Sequence, residues 1–274
     1  TKNGKSENNK NNADNDSDKI KSIDSKLSSR EEKIENVFNN VMNNKIKKTG
    51  NDLAVIICEV GFSTALLKNF IKDFDKNITI GINAAHKDRD YLKGDALKNG
   101  HEVFFLVPFE PIEFPDNNPG PLTILTGVTS DENIYKMNLL LGGGDGVSGI
   151  INTIGSRFVI SPQDMMHIMK FCQRKGLIYV NAVNYENNVV DEILRSSGVK
   201  YIMIDSLFDV NYATEENIND ELEVLLSKLK KDGHAIIIMF ATQNVYNVLK
   251  KWIENNKEKI NLIKVSEYFN NYCK

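Results

Sequence analysis

The feature that most constrains the fold is a series of short apolar runs, each followed by a longer amphipathic stretch. The first run, Leu53–Gly61, is rich in β-branched residues and ends in Cys58, Glu59, one valine and Gly61. A run this short, with polar residues before it and a glycine at its end, is typical of a buried parallel strand. Ser63 is the predicted N-cap of the helix that follows. Strand and helix together form a first β/α unit.

The same alternation continues along the chain. Further strands are predicted at Ile78–Asn83, Glu102–Val107, Ser148–Asn152, Leu177–Val183, Lys200–Asp205, His234–Phe240 and Asn261–Val265. Helices are predicted at Ser63–Phe74, Asp88–Asn99, Asp131–Leu141, Pro162–Lys175, Asn188–Ser197, Glu215–Lys231 and Gln243–Asn255, with a final turn over Ser266–Tyr272. Roughly eight strands alternating with helices indicate an α/β fold with a mostly parallel sheet. A distorted (β/α) barrel and an open doubly wound sheet both fit this pattern.

Two segments contain residues that mark the end of a helix or a turn. Helix Pro162–Lys175 has Ser161 as its predicted N-cap, a proline at its first position and Gly176 just after its end. The cluster Gly142–Gly146 lacks the Lys-Ser/Thr pair of a Walker loop, and no GxGxxG motif follows the first strand. This cluster therefore favours a helix end and a turn over a phosphate site.

The N-terminal residues differ in composition from the rest of the chain. From Thr1 to about Ser29 the side chains are mainly Asn, Lys, Asp and Ser, which cannot bury enough apolar surface to offset their ordering entropy. A weak helix is compatible with Arg30–Lys48. We expect a disordered or weakly helical polar tail over residues 1–48 and one domain over residues 49–274.

Composition excludes several classes of function. The formal net charge of −3 does not support nucleic-acid binding, which calls for a basic patch. No apolar run approaches the roughly 20 residues of a membrane helix. Three cysteines, Cys58, Cys172 and Cys273, lie far apart, which indicates neither a disulfide framework nor a structural zinc site. The four histidines have no HxxxH or HExxH spacing.

The candidate catalytic residues are Glu59, Asp205 and Cys58. In α/β folds ligands bind just past the carboxyl ends of strands, which is where Cys58 and Glu59 stand, and Asp205 is predicted at the same edge. A cysteine nucleophile needs a neighbouring base. His101 and His234 begin strands and so belong to the opposite edge, and no histidine is predicted at the matching strand end.

Several segments carry a family resemblance. Leu53–Gly61 corresponds to an apolar strand that ends in Asp-Asp-Leu-Gly, Gly100–Pro111 to Gly-His-Glu-Val…His-Leu-Pro-Met-Glu-Pro, and Gly149–Arg157 to Gly-Val-Asn-Asn-His-Met-Gly-Ser-Arg. Further matching segments are Lys175–Asn181, Tyr201–Asp205 and Gly233–Phe240. In this order and spacing they resemble the divergent polysaccharide deacetylase family, bacterial relatives of the NodB-type carbohydrate esterases. The resemblance implies a distorted (β/α) barrel with a groove at the carboxyl ends of its strands.

The resemblance also implies a divalent metal such as zinc, held by an aspartate and histidines, with a second aspartate as base. At the corresponding positions this chain has Cys58 and Glu59 for the aspartates, Leu106, Thr153 and Phe240 for the histidines, and Asn181 for a strand-end aspartate. Leucine and phenylalanine cannot ligate a cation, and threonine is a poor substitute for imidazole. We therefore expect no metal and no other cofactor. The resemblance places around the groove Glu110, Asn152, Thr153, Ser156, Asn181 and Phe240.

Three functional hypotheses follow. The favoured one is a catalytically inactive family member that binds a glycan or an envelope protein at the former active-site groove. It is expected in the periplasm or otherwise exported, and an upstream membrane anchor is compatible with a chain that starts at Thr1. The alternatives are an active carbohydrate deacetylase or hydrolase with a rebuilt site, and a structural or interaction protein of the cell envelope that works through its tail and the Pro108–Pro121 loop.

Overall fold

The structure is a computed structural model, and it describes residues 51–61, 64–142, 144–183, 189–209, 211 and 213–273. The predictions for residues 1–48 and for Ser63 as an N-cap lie outside these ranges. Within the described ranges, the strands are β1 (Asp52–Cys58), β2 (Thr79–Asn83), β3 (Val103–Leu106), β4 (Val147–Asn152), β5 (Ile178–Asn181), β6 (Lys200–Met203), β7 (Ser206–Leu207), β8 (His234–Phe240) and β9 (Asn261–Leu262). The helices are α1 (Ala65–Asp73), α2 (Arg89–Lys98), α3 (Ser130–Leu140), α4 (Pro162–Lys175), α5 (Val189–Ser197), α6 (Glu215–Asp232), α7 (Gln243–Asn256) and α8 (Val265–Tyr272).

One parallel sheet organises these elements. Its strand order is β6-β5-β4-β3-β2-β1-β8-β7, and β9 also pairs with β1. Strands β6 and β7 stand at opposite ends of this order, although only Ile204 and Asp205 separate them in sequence. Because a chain spans at most about 3.6 Å per residue, Met203 and Ser206 lie within about 11 Å of each other. The two sheet edges are therefore close together, and the sheet is curled into a distorted β/α barrel rather than an open doubly wound sheet.

Strand β1 pairs with a neighbour on each side and is buried on both faces. Leu53, Val55 and Ile57 pack in the layer between the sheet and the helices, and Ala54, Ile56 and Cys58 pack inside the barrel. A strand without a solvent face has no need of polar alternation, which explains why β1 is a continuous apolar run. The last helix, α8, contributes Tyr268 to the cluster inside the barrel.

The predicted residues do flank helix α4. Ser161 stands at its N-cap position, a proline is its first residue and Gly176 follows it in the left-handed region, with φ of 70°. The Ser161 side chain does not cap a backbone N–H, because its hydroxyl donates to Asp164 Oδ2 over 2.6 Å. Helix α3 ends at Leu140, and β4 begins at Val147 directly after Gly146, so the described glycines of the cluster, Gly142, Gly144 and Gly146, lie at a helix end and in a turn. Within the described residues no helix is long and apolar enough to cross a membrane.

Candidate functional site

Glu59 directly follows β1 at the carboxyl edge of the sheet, and its side chain points at the turn that connects β2 to α2. The backbone N–H of Asn83 donates a hydrogen bond to Glu59 Oε2 over 2.9 Å. The other oxygen, Oε1, has no hydrogen-bond partner among the described residues, and His86 Nε2 lies 3.5 Å from it. Glu59 is only 5% exposed and His86 only 8%. The two side chains form a buried acid–imidazole pair.

The prediction that no histidine stands at this edge is wrong, because His86 does. It lies three residues beyond β2, in a turn where its N–H donates to the carbonyl of Asn83 over 3.0 Å. The backbone N–H of Asp88 in turn donates to His86 Nδ1 over 3.0 Å. The tight turn directs the ring back to the end of β1. One sequence feature could have revealed this position. His86 follows shortly after the end of β2, and β2 is the neighbour of β1, the strand that precedes Glu59.

Burial dominates the electrostatics of this strand end. It raises the pKa of the Glu59 carboxyl, an effect that the Asn83 N–H and His86 oppose and that the nearby Asp88 carboxylate reinforces. It also raises the pKa of the fully buried Cys58 thiol, and the Glu59 charge acts in the same direction. Because the thiolate is the nucleophilic form, these surroundings favour an inert thiol at Cys58.

The barrel mouth beside Cys58 is apolar. Leu106 and Phe240 are partly buried and pack against the cluster inside the barrel to which Cys58 belongs. Phe240 is the register partner of Cys58 across β1 and β8. Gly81 stands between Cys58 and Leu106, since a Cβ there would lie 2.7 Å from the Cys58 sulfur and 3.1 Å from Leu106 Cδ1. Thr153, which directly follows β4, is half-buried.

Asn152 and Asn181 form a separate polar cluster around Tyr179. The Tyr179 hydroxyl donates to Asn152 Oδ1 over 2.7 Å and lies 3.2 Å from Asn181 Oδ1. Asn181 also donates from Nδ2 to the carbonyl of Val183. All three side chains are buried, and Tyr179 packs in the layer between sheet and helices. The structure thus brings the two amides to each other but not to Glu59.

Glu110 and Ser156 hold two loops together at the same end of the barrel. Glu110 Oε2 accepts hydrogen bonds from the N–H and the hydroxyl of Thr126, and Arg157 Nη1 lies 3.3 Å from Glu110 Oε1. The Ser156 hydroxyl oxygen accepts a bond from the N–H of Ile112 over 3.1 Å. These contacts give both residues a structural role in shaping the loops.

The prediction that Asp205 ends its strand at the same edge as Glu59 is wrong. The predicted strand stops at Met203, and Asp205 lies in the link that crosses to β7. Asp205 Oδ2 accepts a hydrogen bond from the N–H of Ile236, near the start of β8, and Lys228 Nζ lies 3.3 Å from Oδ1. Its carboxylate therefore belongs to the amino-terminal side of β8, away from the end of β1.

The residues at the mouth do not fit a divalent cation. In the parts of the chain that the structure describes, no three His, Cys, Asp or Glu side chains converge. Glu59 and His86 do lie close together, but the hydrogen bond that His86 accepts does not suit ligation through Nε2. Because His86 Nδ1 accepts the Asp88 N–H, a neutral imidazole carries its proton on Nε2, the nitrogen that faces Glu59.

A curled parallel sheet with Glu59 and His86 at its carboxyl edge defines a distorted β/α barrel. The family model described as divergent polysaccharide deacetylase matches residues 55–269, and the chain belongs to this family.

Three similar proteins illustrate the relationship. An uncharacterized protein from Haemophilus influenzae is 22% identical over 241 residues, which cover 86% of this chain and 82% of that protein. The crystal structure of an uncharacterized protein from Agrobacterium tumefaciens C58 superposes with a TM-score of 0.75 at 24% identity, covering 80% of this chain and 89% of that one. A more distant likeness is a peptidoglycan deacetylase from Bacillus subtilis, with a TM-score of 0.43 at 12% identity over 81% and 91% of the two chains.

Proposed function

We propose that this chain is a catalytically inactive member of its family that binds a glycan at the former active-site groove. The observation that carries the proposal is the chemistry of the mouth, where Leu106 and Phe240 pack against buried Cys58. Metal-dependent deacetylation needs a cation that polarises a water molecule or a carbonyl oxygen. Apolar side chains cannot hold that cation, whereas an apolar and partly exposed surface suits the hydrophobic face of a sugar ring.

The family supports the class of ligand. Its members are described as polysaccharide deacetylases, so an N-acetylated or O-acetylated glycan is the natural candidate. The barrel and the loops fixed by Glu110 and Ser156 are retained while the ligand set is not. A chain with these features suits recognition of the polymer without its hydrolysis. Fold alone does not carry function, which is why the proposal rests on the side chains at the mouth.

A second candidate is an active hydrolase with a rebuilt site. It is favoured by the Glu59–His86 pair, in which a buried carboxyl with a raised pKa faces an imidazole at 3.5 Å. Such pairs act as general acids and bases in other enzymes. Against it, the pair is buried, and Cys58 beside it is an apolar, inaccessible thiol.

The decisive experiment measures binding and turnover on the same samples. Calorimetric titration with N-acetylated and deacetylated oligosaccharides should show binding that Phe240→Ala weakens. Tyr135→Ala, a change of an exposed aromatic residue on α3, is the matched control and should leave binding unchanged. No acetate should be released, with or without added zinc. Acetate release that Glu59→Gln abolishes would establish the second candidate and overturn the first.

We also propose that the protein acts outside the cytoplasm, in a periplasm or tethered to a membrane, where a member of a family described by polysaccharides would meet such polymers. Cell fractionation against a cytoplasmic marker tests this directly. Recovery of the full-length chain with the cytoplasmic marker would refute it.

A further inference from the structure

The buried pair at the end of β1 is an unusual feature in energetic terms. A buried carboxylate is normally neutralised by a charge or satisfied by hydrogen bonds at both oxygens. Glu59 has one oxygen satisfied by a backbone N–H, whereas the other has only His86 Nε2 at 3.5 Å. Since this glutamate stands at one of the two aspartate positions of the family motif, what faces it matters for the whole site.

Distance alone permits two interpretations. Two ligands bound to one tetrahedral ion at about 2.1 Å would be separated by about 3.4 Å, close to the observed distance between Glu59 Oε1 and His86 Nε2. A direct contact between a carboxylate and an imidazole N–H is the other interpretation. The proton on the ring distinguishes them, because a ligating nitrogen must be unprotonated.

The turn decides the position of that proton. A metal-binding histidine usually donates its second ring N–H to an acceptor. His86 has the reverse arrangement, since its Nδ1 accepts the backbone N–H of Asp88 over 3.0 Å. A backbone N–H can only donate a hydrogen bond, so Nδ1 must be the acceptor. The neutral ring therefore carries its hydrogen on Nε2. Asp88 adds negative charge nearby, which makes a positively polarised N–H at Glu59 still more favourable.

We infer that His86 takes the place of a metal ion: its Nε2–H is the positively polarised partner of Glu59, and the contact excludes a divalent cation from the end of β1. His86 is thus a positioning residue that holds the β2–α2 turn against Glu59. The inference deepens the proposed function, since it rests on the same groove and explains how that groove is stable without a cation.

Nuclear magnetic resonance of the ring nitrogens tests this in the full chain. Spectra of ¹⁵N-labelled protein that correlate ring nitrogens with ring protons report the tautomer of each histidine, and His86→Gln identifies the His86 signals by their loss. We expect His86 to be protonated on Nε2 at neutral pH. Adding equimolar zinc chloride should leave its signals in place, with less than stoichiometric zinc retained after gel filtration.

Two variants locate the partner. Glu59→Gln should shift the His86 signals, because it replaces the facing carboxylate. The control is Glu102→Gln, another buried glutamate, which accepts the N–H of Ser266 at the opposite end of the sheet and should leave His86 unchanged. A His86 ring protonated on Nδ1, or His86 signals displaced by stoichiometric zinc, overturns the inference. Both results are read from the wild-type chain, and His86→Gln serves only to assign the signals. Failure to bind glycan with the Nε2 tautomer intact would remove only the proposed function.

Discussion

Replacing Glu59 by alanine should destabilise the barrel by about 2–4 kcal/mol. The change leaves the N–H of Asn83 without its acceptor at 2.9 Å and leaves His86 Nε2–H without its partner, both in buried surroundings. A buried donor that loses its partner costs about 1–3 kcal/mol, with bonds to charged groups in the upper part of that range. Glu59→Gln keeps a carbonyl oxygen for Asn83 and should therefore be less destabilising than the alanine variant.

The dependence on pH separates the carboxylate from the shape of the side chain. Burial raises the pKa of Glu59 in the folded protein above its value in the unfolded chain. The folded state then binds the proton more tightly, so this group's contribution to the free energy of unfolding is largest below the unfolded pKa. It falls as pH rises towards the folded pKa. Wild type should lose stability relative to Glu59→Gln across that window.

Urea unfolding followed by the fluorescence of Trp252, the single tryptophan, provides the assay. Wild type, Glu59→Ala and Glu59→Gln are compared at several pH values from mildly acidic to mildly basic, with the slopes of the transitions checked for equality. The reasoning is refuted if the alanine variant loses less than about 0.5 kcal/mol, which is typical of a surface change. It is equally refuted if wild type gains stability relative to Glu59→Gln as the pH rises.

Three further predictions concern the surroundings of the site. Gly81→Ala should destabilise the chain by about 1–3 kcal/mol in urea unfolding, because its Cβ would meet the Cys58 sulfur and Leu106, and Cys58→Ala in the same chain should restore part of the loss. Native protein treated with iodoacetamide should show no mass adduct on Cys58, which is fully buried with a raised pKa, whereas urea-unfolded protein should be labelled. Tyr179→Phe should cost about 1–3 kcal/mol by calorimetric unfolding, because Asn152 then loses its buried donor, and unchanged stability would contradict the assigned hydrogen bond.

The strands were predictable from sequence where burial imposes a continuous apolar pattern. β8 was predicted with its observed bounds, His234–Phe240, and α4 with its N-cap residue, its proline and its closing glycine. The predicted strand Lys200–Asp205 was too long, because the chain leaves one sheet edge after Met203 and joins the other at Ser206. The sequence shows no sign of this change of partner, because β6 and β7 are short and only two residues separate them.

The site was predictable only in part, for a related reason. Glu59 could be placed because a strand end is visible in the sequence, whereas His86 depends on how a tight turn folds back after the neighbouring strand. Asn181 ends a strand as expected, yet the pleat directs its amide to Tyr179 in the outer layer. Strand ends follow from hydrophobicity, but the direction of each side chain follows from register and turn geometry.

The two residues between Met203 and Ser206 connect the two edges of the sheet covalently. Because β6 pairs with β5 and β7 pairs with β8, the two edges of the sheet can separate only if one of these strands gives up its β-sheet hydrogen bonds. The circumference of the barrel wall at the level of this link is thereby limited by a stretch of backbone that hardly extends.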